Sequence, residues 1–249
     1  MPFFKGFTQN LKNPSEKESS TAHFYSYPPN LPLAICLYSC YPFSIYFSWR
    51  WLMQLSTLIK YQALMLLTQG LLYFGSEIFQ KNPHDISTDF DQKIPVIPLF
   101  TYIYILWFPV IALFPIHLYQ ASPSLYKAYM VTWMIELAIS TVIYMAYPTS
   151  FTRPGNVKDY PGGWLLKIVY HFSYKGLNCM PSMHCSMCAM VLFFTFLAPG
   201  LALPLKLIYT LLPLGILLST VFTKQHVILD LVTGVLLGIL SSLLALAIL

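Results

Sequence analysis

"LALPLKLIYTLLPLGILLSTVF" (201–222) and "HVILDLVTGVLLGILSSLLALAIL" (226–249) are two apolar runs separated by the short polar segment 223–225. An α-helix needs about 20 mostly apolar residues to cross the hydrocarbon core of a membrane, and both runs are long enough. The second run carries one formal charge, Asp230. The stretch therefore predicts a pair of membrane helices joined by a short polar link.

The composition of the whole chain also indicates a membrane protein. Of its 249 residues, 57% are hydrophobic and 9% are charged, and the mean hydropathy is +0.61. Soluble domains carry about 25% charged residues, so most side chains here must face lipid or a lipid-embedded core. The net charge of +5 is modest and dispersed, which suggests anionic headgroups nearby and gives no indication of a nucleic-acid partner.

Further apolar runs complete an all-α, polytopic membrane helix bundle. The predicted spans besides the two above are 61–79, 95–119, 125–147 and 183–199. The run 31–48 is also long and uncharged, but Pro42 and its many aromatic residues fit an interfacial segment equally well. We therefore predict six transmembrane helices, with seven as the alternative.

Two regions follow from this count of spans. Residues 1–50 are predicted to form an N-terminal tail that carries the extra or interfacial hydrophobic segment, and residues 51–249 a six-helix membrane domain. The longest connection is 148–181, where Arg-Pro-Gly and Pro-Gly-Gly sequences break regular structure. Between these breakers, residues 164–170 are predicted to form a short interfacial helix.

The predicted spans bring the unusual polar residues to one face of the membrane. The span 125–147 ends on this face, 183–199 begins there, and the link 223–225 lies there too. Chance scatter would not readily place so many polar groups together. The residues concerned are Arg153, Ser182, His184, Lys224, His226 and Asp230.

His226 and Asp230 have a spacing that suits catalysis. Residues four apart lie on one face of a helix, about one turn apart. A carboxylate there can accept a hydrogen bond from one ring nitrogen and leave the other nitrogen as a nucleophile or base. An Asp within a span costs roughly 2.5–3.5 kcal/mol, which requires a compensating partner. The alternative interpretation is a helix-end Asp beside an ordinary core histidine.

The other polar residues suit the binding of an anion. Ser182 follows a proline at a helix start, where it either caps free amides or helps form an anion site. His184 can donate a proton to a leaving oxygen. Arg153 and Lys224 supply positive charge, although cations near span ends also commonly extend toward the interface. Together these groups fit a phosphate ester.

Five cysteines are present, and Cys185 and Cys188 have CxxC spacing next to His184. No second Cys/His pair stands at ligand spacing nearby, and no thioredoxin-like strand pattern precedes the motif. Small apolar packing residues are the favoured interpretation over a metal or redox site. The sequence therefore predicts neither a metal nor a cofactor.

Three motifs resemble those of the type-2 phosphatidic acid phosphatase superfamily. Pro-Ser-Met-His at 181–184 resembles the motif P-S-G-H, and residues 219–230 resemble S-R-x5-H-x3-D with His226 and Asp230 in register. Arg153-Pro154 resembles the end of the first motif, K-x6-R-P. The resemblance covers roughly residues 61–249, and the order of the spans is similar to the six-helix domain of that family.

The resemblance implies a metal-independent phosphoryl transfer. By it, His226 attacks phosphorus and forms a phosphohistidine, Asp230 orients His226, and His184 protonates the departing alcohol. The residues that it implies as holders of the phosphate oxygens are Arg153, Ser182 and Lys224.

The chain departs from the motifs at three positions. Ala146 stands where the first-motif Lys is expected, Thr220 stands in place of the last-motif Arg, and Met183 replaces the Gly. Two phosphate-binding cations are thus missing, and Lys224 is expected to substitute for one as a point charge. The segment Asp91-x-x-Ile94-Pro95 resembles a segment found in one branch of the superfamily, the branch that contains inositol-phosphorylceramide-synthase-like proteins.

Three functions stay open at this point. The first is a phosphatase acting on lipid phosphates or pyrophosphates, with a phosphorylated membrane lipid and the bilayer as its partners. The second is a phosphotransferase that passes the phosphoryl headgroup to a second alcohol, and the third is a catalytically silent lipid-phosphate binder. The sequence makes no prediction of the oligomeric state.

The distribution of Lys and Arg gives a weak prediction of topology. With six spans, seven of these residues lie on each face, and discounting Arg153 and Lys224 leaves seven against five. The face with more positive charge is generally cytoplasmic. The site is therefore expected to face the periplasm or the exterior of the cell, or the lumen in a eukaryote, as the family resemblance also implies.

Overall fold

A computed structural model describes the backbone of residues 33–155, 157, 160–173 and 176–249, and the side chains of these ranges from residue 54 onward. The predicted tail within 1–50 lies outside the described side chains. The prediction of a span or an interfacial segment at 31–48 therefore stays a prediction, as does the division into 1–50 and 51–249. Every contact discussed below lies within the compact unit Trp51–Leu249.

The described residues fold mainly into helices. A 3-10 turn, Pro98–Phe100, precedes α3, and the two short strands β1 (His84–Asp85) and β2 (Thr149–Ser150) pair in parallel. The helices are α1 (Leu33–Ser76), α2 (Asp89–Lys93), α3 (Thr101–Tyr104), α4 (Trp107–Ala121), α5 (Pro123–Ala146), α6 (Gly163–Phe172), α7 (Met183–Leu197), α8 (Leu203–Phe222) and α9 (Ile228–Ile248).

Four helical segments of the described chain are long and apolar enough to cross a membrane: Pro98–Ala121, Pro123–Ala146, Leu203–Phe222 and Ile228–Ile248. Their limits lie within a few residues of the predicted spans, and α7 is an apolar helix of 15 residues. The predicted all-α membrane bundle is confirmed. The count of six spans, or seven, stays a prediction.

Helix α7 lies at the centre of the bundle and packs against α4, α5, α8 and α9. Its contact with α9 is unusually close because Gly234 and Gly238 face it, one turn apart. A methyl group at Gly234 would overlap the backbone carbonyl of Ser182, and one at Gly238 would overlap that of Ser186. The two glycines therefore set the distance between the helices that carry the candidate site.

Side-chain hydrogen bonds join α1 to its neighbours within the apolar interior. Gln62 donates through Nε2 to the carbonyl of Ile111 at 2.7 Å. Trp133 donates through Nε1 to Oε1 of Gln69 at 2.8 Å. Buried polar groups in an apolar medium need such partners, so these bonds fix the position of α1 against α4 and α5.

The structure has a helix, α6, where the short interfacial helix 164–170 was predicted, and its position in the interface stays a prediction. It begins after Gly162, whose φ of 77° is readily adopted by glycine. Trp164, Ile168 and Phe172 follow one another at intervals of four residues and are all exposed. An exposed apolar stripe on a short helix is typical of a helix that lies in the membrane interface.

Candidate active site

The start of α7 meets the start of α9, and this junction holds most of the predicted site. Ser182 is the N-cap of α7 and accepts a hydrogen bond from the amide of Cys185 at 3.3 Å. The amide of Ser182 donates to the carbonyl of Asp230 at 3.1 Å. Both residues are fully buried, so the two helix starts are held in register by backbone and side chain together.

The pair predicted from the four-residue spacing is formed in the structure. Nδ1 of His226 lies 2.8 Å from Oδ2 of Asp230. Because the carboxylate accepts from Nδ1–H, the lone pair of neutral His226 lies on Nε2. The amide of His226 donates to the carbonyl of Thr220 at 3.1 Å, which anchors the residue to the end of α8.

His184 lies between His226 and a tyrosine. Its Nδ1 is 3.5 Å from Nε2 of His226, and its Nε2 is 2.9 Å from the hydroxyl of Tyr104. The imidazole also packs on the rings of Tyr104 and Trp107, with centroids 4.9 Å and 4.4 Å away. If the Tyr104 hydroxyl donates to Nε2, neutral His184 carries its proton on Nδ1, directed at His226.

Arg153 lies in the connection after α5, as predicted. Its guanidinium donates through one terminal nitrogen to the carbonyl of Ser173 at 2.6 Å and to the hydroxyl of Ser173 at 3.0 Å. The cation lies 5.3 Å from the ring centroids of Phe151 and Tyr170. Nε of Arg153 is buried and has no hydrogen-bond partner among the described residues. These contacts hold the charge in place without using all its donors.

Lys224 lies in the link between α8 and α9 and adopts a φ of 50°, in the left-handed region. Its ammonium donates to the backbone carbonyl of Asp91. Partial burial lowers the pKa of Lys224, and the Asp91 carboxylate partly offsets this effect. The lysine thus contacts a loop that the sequence did not connect with it.

The two cations line one cavity of about 460 Å³. Val227, next to His226 in sequence, lines it as well, but the lining residues include neither His184 nor His226. The structure therefore brings Ser182, His184, His226 and Asp230 into one cluster, and places Arg153 and Lys224 together beside it. The other polar side chains of the cavity wall are Asp85, Ser87, Asp91, Gln92 and Thr152.

The motif departures have clear structural settings. Thr220 is fully buried, and its carbonyl accepts from the amides of both Gln225 and His226. Met183 is buried against Leu137 and Tyr144.

Cys185 and Cys188 are buried free thiols, which agrees with a packing role. No cluster of three or more His, Cys, Asp or Glu suited to a metal is found within the described ranges.

Two contributors to the site were missed by the reasoning from sequence. Tyr104 lies in an apolar run with no polar neighbour to single it out. Asp91 drew notice through the family resemblance alone, yet its carboxylate accepts from the amide of Ile228 at 2.8 Å. Both contacts join residues at least 80 positions apart, so local spacing carries no signal for them.

The described residues thus form a helical membrane bundle in which a His–Asp pair faces a second histidine with two cations nearby, an arrangement compatible with chemistry on a phosphoester. The comparison with protein families agrees: the model of the PAP2 superfamily matches residues 127–249. This part of the chain belongs to that superfamily, whose members are generally phosphatases or phosphotransferases. The apolar helices and this match together show an integral membrane protein. No curated protein and no solved structure matches it.

Proposed function

We propose that the protein is a metal-independent phosphatase that hydrolyses lipid phosphate or pyrophosphate esters through a phosphohistidine intermediate. One observation carries the proposal. Asp230 binds Nδ1 of His226 at 2.8 Å, and the free Nε2 faces His184 at 3.5 Å. The carboxylate of Asp230, the nucleophile His226 and the proton donor His184 thus lie side by side in space in that order. Covalent catalysis needs these three groups within hydrogen-bond reach of one another.

In the first half-reaction, Nε2 of His226 forms a bond to phosphorus as the bond from phosphorus to the lipid oxygen breaks. His184 enters this step as an imidazolium and gives its Nδ1 proton to that oxygen, so the lipid alcohol leaves neutral and His184 becomes a neutral imidazole with its remaining proton on Nε2. In the second half-reaction, His184 takes a proton from a water molecule that attacks phosphorus. The N–P bond then breaks, phosphate leaves, and both histidines return to their starting states.

Substrate binding must separate the two imidazoles. The lone pair of His226 points toward His184, and 3.5 Å is too short to hold a phosphorus atom and its oxygens between the nitrogens. His226 is held by Asp230, and His184 is held by Tyr104 and the ring of Trp107. We therefore expect the phosphoryl group to enter by displacing one ring slightly from this closed arrangement.

Arg153, Ser182 and Lys224 are proposed to bind the phosphate oxygens. Arg153 keeps N–H groups beyond those that donate to Ser173, and Lys224 shares its cavity wall. The Ser182 hydroxyl accepts from Cys185 and so still has its own proton to donate. Positive charge at this place would stabilise the charge that develops on the phosphoryl oxygens.

The second candidate is a phosphotransferase that passes the phosphoryl headgroup to another alcohol. It is favoured by the polar wall of the 460 Å³ cavity, where Asp85, Ser87 and Gln92 could bind hydroxyl groups. A lipid phosphomonoester has no alcohol hydroxyl groups on its phosphate for these side chains to bind, whereas an alcohol acceptor has them. A silent lipid-phosphate binder is less favoured, because binding alone does not need a His–Asp pair that faces a second histidine.

We place the proposed site on the outer face of the membrane, periplasmic or exterior, or lumenal in a eukaryote. The support is the Lys and Arg distribution, which leaves fewer of these residues on the face of the site once Arg153 and Lys224 are set aside. The substrate would then be a phosphorylated lipid of the outer leaflet.

An assay on the full chain in lipid micelles, without added metal and with a chelator, tests the proposal. We expect free phosphate from phosphatidate or from a polyprenyl pyrophosphate, at a rate that the chelator leaves unchanged. Each substrate is offered with and without a lipid alcohol, and products are separated as free phosphate and phosphorylated acceptor. Product found solely on the acceptor would replace the phosphatase by the phosphotransferase, and no product from either substrate would contradict both.

Replacing Tyr104 by Phe is expected to lower kcat about tenfold with little change in KM. The variant keeps the ring that packs on His184 but loses the hydroxyl 2.9 Å from Nε2, so the hydrogen bond that orients the proton donor is lost. The measurement is kcat and KM across pH, because a changed proton donor alters the shape of the profile. Tyr102→Phe is the control, since Tyr102 is exposed on the same short helix. An unchanged kcat and pH profile in Tyr104→Phe would rule out this role.

A further inference from the structure

The link between α8 and α9 is held by hydrogen bonds from the segment that contains α2, which precedes the membrane helix Pro98–Ala121. Val227, the N-cap of α9, makes no side-chain capping bond of its own. Instead, the first free amide of α9, on Ile228, donates to Oδ1 of Asp91 at 2.8 Å. A carboxylate that accepts from a helix N-terminus and faces its positive end is stabilising. Asp91 thus caps α9 from 137 residues away.

Asp91 is itself fixed from its own side. Its Oδ2 accepts from the amide of Thr88 at 2.8 Å and from the hydroxyl of Thr88 at 2.5 Å. The bond from the Thr88 amide, together with a bond from the amide of Asp91 to Oγ1 of Thr88 at 3.3 Å, forms a capping box at the start of α2. The side chain is buried, and all its hydrogen bonds favour the ionised form. Its position cannot change without breaking one of them.

Asp91 also forms a hydrogen bond with a second residue of the link, Lys224. The backbone carbonyl of Asp91 accepts from the ammonium of Lys224, and the carboxylate accepts from the amide of Ile228. These two contacts lie two residues before and two residues after His226. A third bond, from the amide of Ile97 to the carbonyl of Phe222 at 2.9 Å, joins the same two segments.

We propose that Asp91 is a positioning residue for the catalytic histidine, which it holds in place by bracketing the link from Lys224 to Ile228. This inference rests on the proposed function, in which His226 is the nucleophile. Asp91 acts on His226 through the backbone of the link, because its hydrogen bonds go to Thr88, Lys224 and Ile228. It fixes the first turn of α9 so that Asp230 lies beneath His226, and it orients Lys224 at the wall of the phosphate cavity.

The test compares three variants of the full chain in micelles. Asp91→Ala removes the carboxylate that accepts from Ile228 and Thr88 but keeps the backbone carbonyl that accepts from Lys224, and we expect kcat to fall at least about tenfold with KM changed little. Asp91→Asn keeps one carbonyl oxygen that can accept from Ile228, so an intermediate kcat is expected. Asp89→Ala is the matched control, because Asp89 lies exposed in the same turn of α2.

A second measurement does not depend on activity. Hydrogen exchange of the backbone amides in residues 224–231 should be faster in Asp91→Ala than in the wild type, and unchanged in Asp89→Ala. If exchange is faster in Asp91→Ala while the wild type shows no phosphoryl transfer, Asp91 does hold the link in place but the proposed function is wrong. If the wild type is active and Asp91→Ala matches it in kcat and in exchange, the positioning role is overturned.

Discussion

His226→Gln is expected to lower phosphoryl transfer by at least about 1,000-fold. The side-chain amide of Gln is not nucleophilic, because its nitrogen lone pair is delocalised into the carbonyl, so the covalent step is lost while binding groups stay in place. KM should change little, because His226 is not one of the groups proposed to hold the phosphate. The measurement is the rate of phosphate release under saturating substrate, per amount of folded protein.

The covalent intermediate offers a direct readout of the same variant. A lipid labelled in its phosphate should leave the label on the wild-type chain after an alkaline quench, since phosphohistidine survives base and is lost in acid. No label should remain on His226→Gln. The control is His171→Gln, because His171 is exposed on α6 and its ring lies beside that of Phe172. Label on the variant, or label on the wild type that survives acid, would refute His226 as the nucleophile.

The helices were predictable because membrane spans depend on length and apolarity, which are read along the chain. The runs 125–147 and 201–222 became α5 (Pro123–Ala146) and α8 (Leu203–Phe222) almost without change. The His226–Asp230 bond was predictable for a similar reason: a spacing of four residues on a helix decides it.

The partners of the site were not predictable in the same way. His184 meets Tyr104, and Ile228 meets Asp91, through contacts across 80 and 137 residues. Such contacts depend on how the helices pack, which no local pattern encodes. Lys224 shows the difference well. Its spacing from His226 suggested a role at the phosphate, and the structure adds a bond to the Asp91 carbonyl that the sequence could not indicate.

The pKa of the Asp91 carboxyl group predicts that the hold of Asp91 on the link depends on pH. Burial raises the pKa of Asp91, but the bonds from Thr88 and Ile228 and the charge of Lys224 lower it further, so the pKa lies below the ordinary value of 3.8. A carboxyl with a depressed pKa stabilises the fold above its unfolded-state pKa, and this contribution is lost as the pH falls through the folded-state pKa. The bracket around His226 should therefore be intact at neutral pH and should weaken in strong acid.

Gly234→Ala is expected to destabilise the bundle and to reduce turnover in the molecules that still fold. The added methyl group would overlap the carbonyl of Ser182, a backbone atom that cannot rotate away, so α9 must move from α7. Overpacking of this kind costs about 1–3 kcal/mol, which exceeds the gain of up to about 1 kcal/mol in helix propensity. Ser182 also donates to the carbonyl of Asp230, so the same shift moves His184 relative to His226.

Two further glycines separate the effect on packing from the effect on the site. Gly238→Ala meets the carbonyl of Ser186 one turn deeper and should lower the melting temperature similarly, with a smaller fall in kcat. Gly70→Ala, in α1, has open space around it and should leave both unchanged or raise stability slightly. The measurements are thermal unfolding in micelles and kcat per folded molecule. A misplacement of about 1 Å can cost about 100-fold in rate, so Gly234→Ala should stand apart from Gly238→Ala in kcat rather than in melting temperature. Equal kcat in the two variants would mean that the contact between Ser182 and α9 does not set the geometry of the histidine pair.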